Sequence, residues 1–142
     1  MKKVSHILRR KGYNVTNVTP DTTVIEALHI MADQNIGSVA VMEGIHFLGI
    51  MTERDYSRKV ILKGRSSTDT TVGEIMTSDF PFVTENDTVE FCMEIMSDRN
   101  LRYLPVMDGR KLSGIISIND IVKETILTHE ETILHLHSYI HS

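Results

Sequence analysis

Apolar and polar positions follow the same order twice along the chain, which predicts two copies of one structural unit. A shift of 65 residues lays 18–55 over 83–120 without a gap. With three residues inserted, the match also lays 4–8 over 72–76. Each half is then short for an independent fold, because so small a chain buries little apolar surface. We therefore expect the two halves to pack against each other about a pseudo-twofold axis.

Each half is predicted to contain a short helix, an extended segment, a longer helix, a two-stranded hairpin and a closing helix. The first half has these elements at 4–11, 15–18, 24–35, 39–42 with 47–51, and 53–63. The second half has them at 72–77, 82–83, 89–100, 104–107 with 112–117, and 118–128. Residues 21–23 and 86–88 are predicted to cap the longer helix of each half. Asp108-Gly109 is a signal for the turn of the second hairpin, and Gly64 is predicted to end the first closing helix. The predicted class is α+β, with domains at 1–64 and 72–128, a polar linker at 65–71 and a helical tail at 129–142.

One motif occurs in both halves, as Gly-Ile-Met-Thr-Glu-Arg-Asp at 49–55 and as Gly-Ile-Ile-Ser-Ile-Asn-Asp at 114–120. In each copy a glycine closes an apolar strand, a hydroxyl residue opens a helix, and an aspartate lies three positions later. This spacing is typical of a capping box, in which hydroxyl and carboxylate satisfy backbone amides. The carboxylate can also accept both hydroxyls of a ribose diol beside a helix N-terminus that attracts phosphate. The repetition favours ligand binding, and the two roles are compatible.

The tandem unit ending each time in Gly-x-x-Ser/Thr-x-x-Asp resembles the cystathionine-β-synthase (CBS) domain pair, also called the Bateman module. The resemblance covers nearly the whole chain, so the chain looks like a stand-alone CBS-pair protein. It implies a regulatory protein that binds AMP, ADP, ATP, NAD or S-adenosylmethionine in two clefts between the halves. It also implies a disc-like homodimer that acts on a partner which the sequence does not identify.

The resemblance also implies which residues bind the nucleotide. The adenine is expected against the first strand of each half and the first strand of each hairpin, at Thr19, Ser38, Val39, Ala40, Thr84, Leu104 and Pro105. Ribose and phosphate are expected at Thr52, Arg54, Asp55, Arg102, Tyr103, Ser117, Asn119 and Asp120. The phosphate over Asp55 would meet Arg102, whereas the equivalent of Arg102 in the other cleft is Gly37. We therefore expect the Asp55 cleft to bind charged phosphates better.

Other polar residues allow two interpretations. Arg58 and Lys59 lie one helical turn beyond the first motif and suit either phosphate binding or a solvated helix face equally well. His137 and His141 have the i, i+4 spacing of a metal pair, but an exposed polar tail is the favoured interpretation and no metal is expected. Cys92 falls on a helix face that should be buried, which favours an inert core thiol.

The composition narrows the function. The chain has 142 residues, a formal net charge of −4 and a single cysteine, so nucleic-acid binding and an internal disulfide are not expected. No apolar run suits a membrane span or a signal core, which favours a cytoplasmic protein. No Ser/His/Asp set or acid–base pair predicts catalysis. The alternatives to a nucleotide sensor are an interaction module whose motifs are only helix caps and, less favoured, a metal enzyme using the histidine-rich tail.

Dimerisation is predicted from apolar residues on the opening and closing helices that one module does not obviously cover. These residues are Ile7, Leu8, Val60, Ile61, Leu62, Ile121, Val122, Ile126 and Leu127.

Overall fold

The fold is known from a computed structural model that describes residues 2–141, with side chains described for residues 2–129. The first half contains α1 (Val4–Lys11), β1 (Asn17–Val18), α2 (Val24–Gln34), β2 (Ser38–Glu43), β3 (His46–Thr52) and α3 (Glu53–Tyr56). A π-helical segment, Ser57–Ile61, continues directly from α3. The second half contains α4 (Val72–Ile75), α5 (Val89–Arg99), β4 (Tyr103–Asp108), β5 (Lys111–Ser117) and α6 (Ile118–His141).

The longer helix of each half begins and ends at equivalent residues. Thr23 Oγ1 accepts a hydrogen bond from the backbone of the first turn of α2, and Thr88 Oγ1 does the same for α5. Both helices end at an asparagine in the left-handed region, with φ 55° at Asn35 and 53° at Asn100. Asparagine tolerates this conformation better than most residues. The predicted caps and the two longer helices are therefore confirmed.

Both halves build the predicted hairpin, but their sheets differ in size. In the first half β1 pairs parallel with β2, and β2 pairs antiparallel with β3. In the second half β4 pairs antiparallel with β5, and a single parallel bridge from Val83 to Val106 replaces the first strand. The prediction that a glycine closes each strand is wrong, because Gly49 and Gly114 lie inside β3 and β5. Each glycine lies beside a register shift, because its own strand has one extra residue there, Leu48 in β3 and Ser113 in β5.

The short helix that opens each half, α1 or α4, packs into the hydrophobic core of the other half. Val4, Ile7 and Leu8 of α1 are buried in a core formed by α5, β4, β5 and α6. Val72 and Ile75 of α4 are buried in the core of the first half. Each sequence half therefore completes the hydrophobic core of the other.

A third core lies between the two hairpins and joins the halves. Ala40 and Ile50 of the first half pack with Ile115 of the second, and partly buried side chains including Phe47 and Leu112 surround them. Ile50 and Ile115 are equivalent residues in the repeat. The expected packing of two equivalent halves is confirmed.

The closing helix of the first half departs from its prediction. A continuous helix was expected over 53–63, but the backbone becomes π-helical at Ser57 and the segment ends at Ile61. Leu62 N donates to Ser57 O at 3.1 Å, a bond that spans five residues and widens the turn. Gly64 follows with φ 68°, which supports its predicted role at the helix end. The last helix, α6, continues through His141, but the side chains of His137 and His141 lie outside the described residues.

Candidate functional site

A cleft of about 570 Å³ lies between the halves beside the start of α3, and we call it the first cleft. One side is formed by the β3–α3 junction and the π-helical segment, and the other by residues 99–103. Phe80 and Leu101 add apolar surface. Cationic side chains dominate its charge, and they are Arg54, Arg58, Lys59, Arg99 and Arg102. Such a lining favours an anionic ligand with an apolar portion.

The first copy of the motif forms a complete capping box at the edge of this cleft. Asp55 N donates to Thr52 Oγ1 at 3.0 Å, and Thr52 N donates to Asp55 Oδ2 at 2.9 Å. Thr52 Oγ1 also donates to Asp55 Oδ2 at 3.0 Å. The capping interpretation of the spacing is therefore confirmed, and it holds Asp55 only 8% exposed at the cleft edge.

The other carboxylate oxygen of Asp55 is bound by two more side chains. Oδ1 accepts from Thr77 Oγ1 at 3.1 Å and lies 3.0 Å from Lys59 Nζ. Lys59 Nζ also donates to the backbone oxygen of Ile75 at 2.8 Å. Lys59 is thus a partner of Asp55 and not only part of a solvated helix face, while Arg58 lines the cleft beside it.

A second cleft, of about 320 Å³, contains the other copy of the motif. Ser117 N donates to Asp120 Oδ2 at 2.8 Å, and Asp120 N donates to Ser117 Oγ at 3.1 Å. Lys11, from the end of α1, reaches the same Oδ2 at 2.8 Å and donates to the backbone oxygen of Ile115 at 2.7 Å. Each motif aspartate therefore has a lysine partner, but the two lysines come from different elements.

Gly37 and Tyr103 line both clefts and separate them. A Cβ on Gly37 would collide with the Tyr103 hydroxyl, so the glycine provides the space that the phenol occupies. Burial, and then the nearby Glu53 carboxylate, raise the pKa of Tyr103 above its ordinary value. The phenol therefore keeps its proton at neutral pH and can donate a hydrogen bond toward either cleft.

The structure brings most of the predicted ribose and phosphate residues together. Thr52, Arg54, Asp55, Arg102 and Tyr103 line the first cleft, so Arg102 and Asp55 share it as expected. Ser38, Ser117, Asn119 and Asp120 line the second, together with Gly37 and Tyr103. Arg54 Nη1 also donates to the backbone oxygen of Asn100 at 2.8 Å, which ties α3 to the end of α5.

The other predicted residues do not line either cleft. Thr19 and Thr84 are exposed and hold the turns before α2 and α5: Thr19 N donates to Thr22 Oγ1 at 3.2 Å, and Thr84 N donates to Asp87 Oδ2 at 2.7 Å. Four more side chains point into the hydrophobic interior, and they are Val39, Ala40, Leu104 and Pro105. The extended segments meet the clefts earlier in the chain than expected, at Thr16 in the second cleft and Phe80 in the first.

Sequence reasoning missed several lining residues. They are Thr77, Phe80, Arg99 and Asn100 in the first cleft and Lys11, Thr16 and Lys123 in the second. The 65-residue shift could have identified some of them, because it pairs Val15 with Phe80 and Arg58 with Lys123, and these pairs occupy equivalent clefts. Lys11 and Thr77 could not be found this way, since they follow the exchanged helices.

Cys92 and the acidic and histidine side chains give no sign of further chemistry in the described region. Burial raises the pKa of Cys92 to about 12, so its thiol stays protonated and unreactive in the core. Among side chains 2–129, no three His, Cys, Asp or Glu residues are grouped as a metal site. Within the same part of the chain, no helix has the length and apolarity to cross a bilayer.

The family model of the CBS domain matches the chain twice, at residues 4–61 and 72–126. The chain belongs to the CBS domain family. This CBS pair is 34% identical to the mitochondrial CBS domain-containing protein CBSX3 of Arabidopsis thaliana, over 96% of this chain and 71% of that protein.

Two solved CBS structures are also similar to it. The crystal structure of the CBS domain protein NE2398 is 44% identical, with a TM-score of 0.84, covering 89% of this chain and 99% of the other. The CBS domain pair of protein MJ0100 is 25% identical, with a TM-score of 0.77, covering 88% of this chain and 96% of the other. That pair was crystallised with 5-methylthioadenosine and S-adenosyl-L-methionine. The neighbours thus include CBS-pair proteins of about this chain's extent.

Proposed function

We propose that this CBS pair is a regulatory module that binds an adenosine nucleotide in the clefts between its halves. One observation carries the proposal: in each cleft a capped aspartate from one half lies with at least one cation from the other, Arg99 and Arg102 in the first cleft and Lys11 in the second. Carboxylate and cations are the groups that a ribose and a phosphate require. The adenosine ligands of the MJ0100 pair support this ligand class.

The distribution of charge supports a nucleotide with several phosphates. AMP, ADP, ATP and NAD share an adenosine 5′-phosphate, so each is compatible with the lining. The first cleft has the larger set of cations and the larger volume, and we propose that it binds phosphate more tightly. Because the ligand would lie between halves that share three cores, its binding can alter their packing, and a partner protein can respond to that change.

A second candidate function is a protein-interaction module that binds no nucleotide. The observation that favours it is the completeness of both capping boxes, because each motif pair already satisfies the backbone amides at its helix start. In that case Thr52, Asp55, Ser117 and Asp120 would only fix helix ends.

Calorimetric titration distinguishes the two functions. Small molecules released from the purified protein on denaturation would be identified, and the protein then titrated with AMP, ATP, NAD and S-adenosylmethionine. We expect binding of at least one phosphate-bearing ligand, and Arg102→Gln should weaken it by about tenfold or more, the value of a charge-assisted hydrogen bond. The control is Arg110→Gln, a cation in the hairpin turn outside both clefts. No heat with any ligand would support the interaction module.

A further inference from the structure

The carboxylate of Asp55 has no acceptor position left for a ligand. A carboxylate offers about four lone-pair positions. Thr52 N and Thr52 Oγ1 use two of them on Oδ2, while Thr77 Oγ1 and Lys59 Nζ use two on Oδ1. A ribose diol could bind Asp55 only by displacing one of these donors.

Lys59 is held beside Asp55 by all of its hydrogen-bond donors. Its ammonium has three hydrogens, and three acceptors surround it: Asp55 Oδ1 at 3.0 Å, the Ile75 oxygen at 2.8 Å and Thr77 Oγ1 at 3.2 Å. A neutral diol hydroxyl would replace an ion pair, in which donor and acceptor are both charged, with a hydrogen bond in which only the carboxylate is charged. Lys59 therefore occupies the position at Asp55 that a ribose would need.

Asp120 presents the opposite situation in the second cleft. Its Oδ2 accepts from Ser117 N and Lys11 Nζ, both at 2.8 Å, whereas Oδ1 has no partner among the described residues. The repeat equivalent of Lys59 is Glu124, which is buried and lies 3.3 Å from Arg10 instead of occupying the cleft. One carboxylate oxygen is thus available to a diol in the second cleft only, within the part of the chain that the structure describes.

The arginines, in contrast to the available carboxylate oxygen, lie in the first cleft. Arg58, Arg99 and Arg102 line the first cleft and form no ion pair with described residues. The repeat equivalents of Arg99 and Arg102 are Gln34 and Gly37, which carry no charge, and the equivalent of Arg58 is Lys123, which is not a guanidinium. Unpaired guanidinium groups recognise phosphate oxygens through paired hydrogen bonds. The first cleft therefore retains the groups for a phosphate chain while its diol acceptor is occupied.

We propose that the two clefts recognise different parts of a nucleotide. The first cleft binds the phosphate chain and does not discriminate the ribose diol, whereas the second binds the diol through Asp120 Oδ1. Lys59 determines this difference. The inference rests on the proposed function, and it adds that an inorganic polyphosphate is a ligand of the first cleft.

Variants that impair one cleft at a time test the division. Calorimetry would compare ATP, 2′,3′-dideoxy-ATP and inorganic tripolyphosphate in Asp120→Asn and in Arg99→Gln/Arg102→Gln. In Asp120→Asn, the remaining first cleft should bind ATP and dideoxy-ATP with affinities within about threefold, and should also bind tripolyphosphate. In the double arginine variant, the remaining second cleft should prefer ATP over dideoxy-ATP by about tenfold or more. An equal diol preference in both variants would overturn the division.

Lys59→Met provides a gain-of-function test. Combined with Asp120→Asn, it frees one acceptor position on Asp55 Oδ1 and should give the first cleft a preference of about tenfold for ATP over dideoxy-ATP. Lys63→Met is the matched control, because Lys63 is exposed and lies outside both clefts. A first cleft that remains indifferent to the diol after Lys59→Met would contradict the role of Lys59. Wild-type protein that binds none of AMP, ATP and NAD would overturn the proposed function itself, whereas nucleotide binding with two equivalent clefts would overturn only this inference.

Discussion

Gly49 and Gly114 are equivalent residues in the two hairpins, but their neighbours differ in how easily they can move. A Cβ on Gly49 would lie 2.5 Å from the backbone oxygen of Thr77. A Cβ on Gly114 would lie 2.8 Å from Cδ2 of Leu8, the end of a flexible side chain. The Thr77 backbone is fixed by two hydrogen bonds of 2.9 Å with Ile50, so it cannot shift without breaking the bridge. Position 49 therefore requires glycine more strictly than position 114.

We predict that Gly49→Ala destabilises the protein more than Gly114→Ala. Overpacking against fixed backbone should cost about 1–3 kcal/mol at position 49, and the cost at position 114 should be smaller because Leu8 can change rotamer. Urea unfolding followed by circular dichroism measures both. Equal losses of stability would show that the Thr77 backbone adapts as easily as the Leu8 side chain.

The motif residues show which side-chain contacts could be predicted from the sequence. The capping boxes at Thr52–Asp55 and Ser117–Asp120 could be predicted, because hydroxyl and carboxylate act on amides within the same helical turn. The occupation of Asp55 by Lys59 was not predicted. It depends on the π-helical segment and on Thr77, which comes from a segment that is remote in sequence. Contacts set by local spacing were accessible from the sequence, and contacts set by tertiary packing were not.

At the level of elements, α1 is the clearest case of a helix whose burial was predictable but whose partner was not. Its apolar stripe indicates a buried face without indicating what covers it. Val4 N donates to Asp87 O at 2.9 Å and Lys3 bridges Thr88, so the chain entering α1 is attached to the cap of α5. The sequence repeat assigned α1 to the first half, and the fold uses it in the core of the second.

Because Leu8 is fully buried in that core, we predict that Leu8→Ala destabilises the protein by about 2–5 kcal/mol. Local unfolding should increase more in the second half than in the first. It would be measured as faster hydrogen exchange in α5 and β5 than in α2 and β3. Arg9→Ala on the exposed side of the same helix is the control, with an expected change within about 0.5 kcal/mol. Faster exchange in the first half alone would argue against the exchanged packing.

At the level of the whole molecule, the structure divides the apolar residues that suggested a dimer into two groups. Ile7, Leu8, Val60 and Ile121 are buried within the chain and cannot reach a second copy. Ile61, Leu62, Val122 and Ile126 are exposed large apolar side chains, and Leu127 is half-buried between the two groups. Ile61 and Ile126 are repeat equivalents, 55% and 51% exposed, so the two closing elements present related apolar faces.

We predict that these faces meet in a homodimer. Static light scattering at micromolar concentration should give twice the chain mass of 16.1 kDa for the wild type. Burying an isoleucine side chain contributes about 1.5–3 kcal/mol, so a charge at either position should weaken association strongly. Ile61→Glu and Ile126→Glu should therefore shift the protein toward monomer. Ile45→Glu, at a 77% exposed position in the β2–β3 turn, should remain dimeric as the matched control. A monomeric wild type would contradict the dimer, and a dimer that survives both substitutions would place its interface on another face.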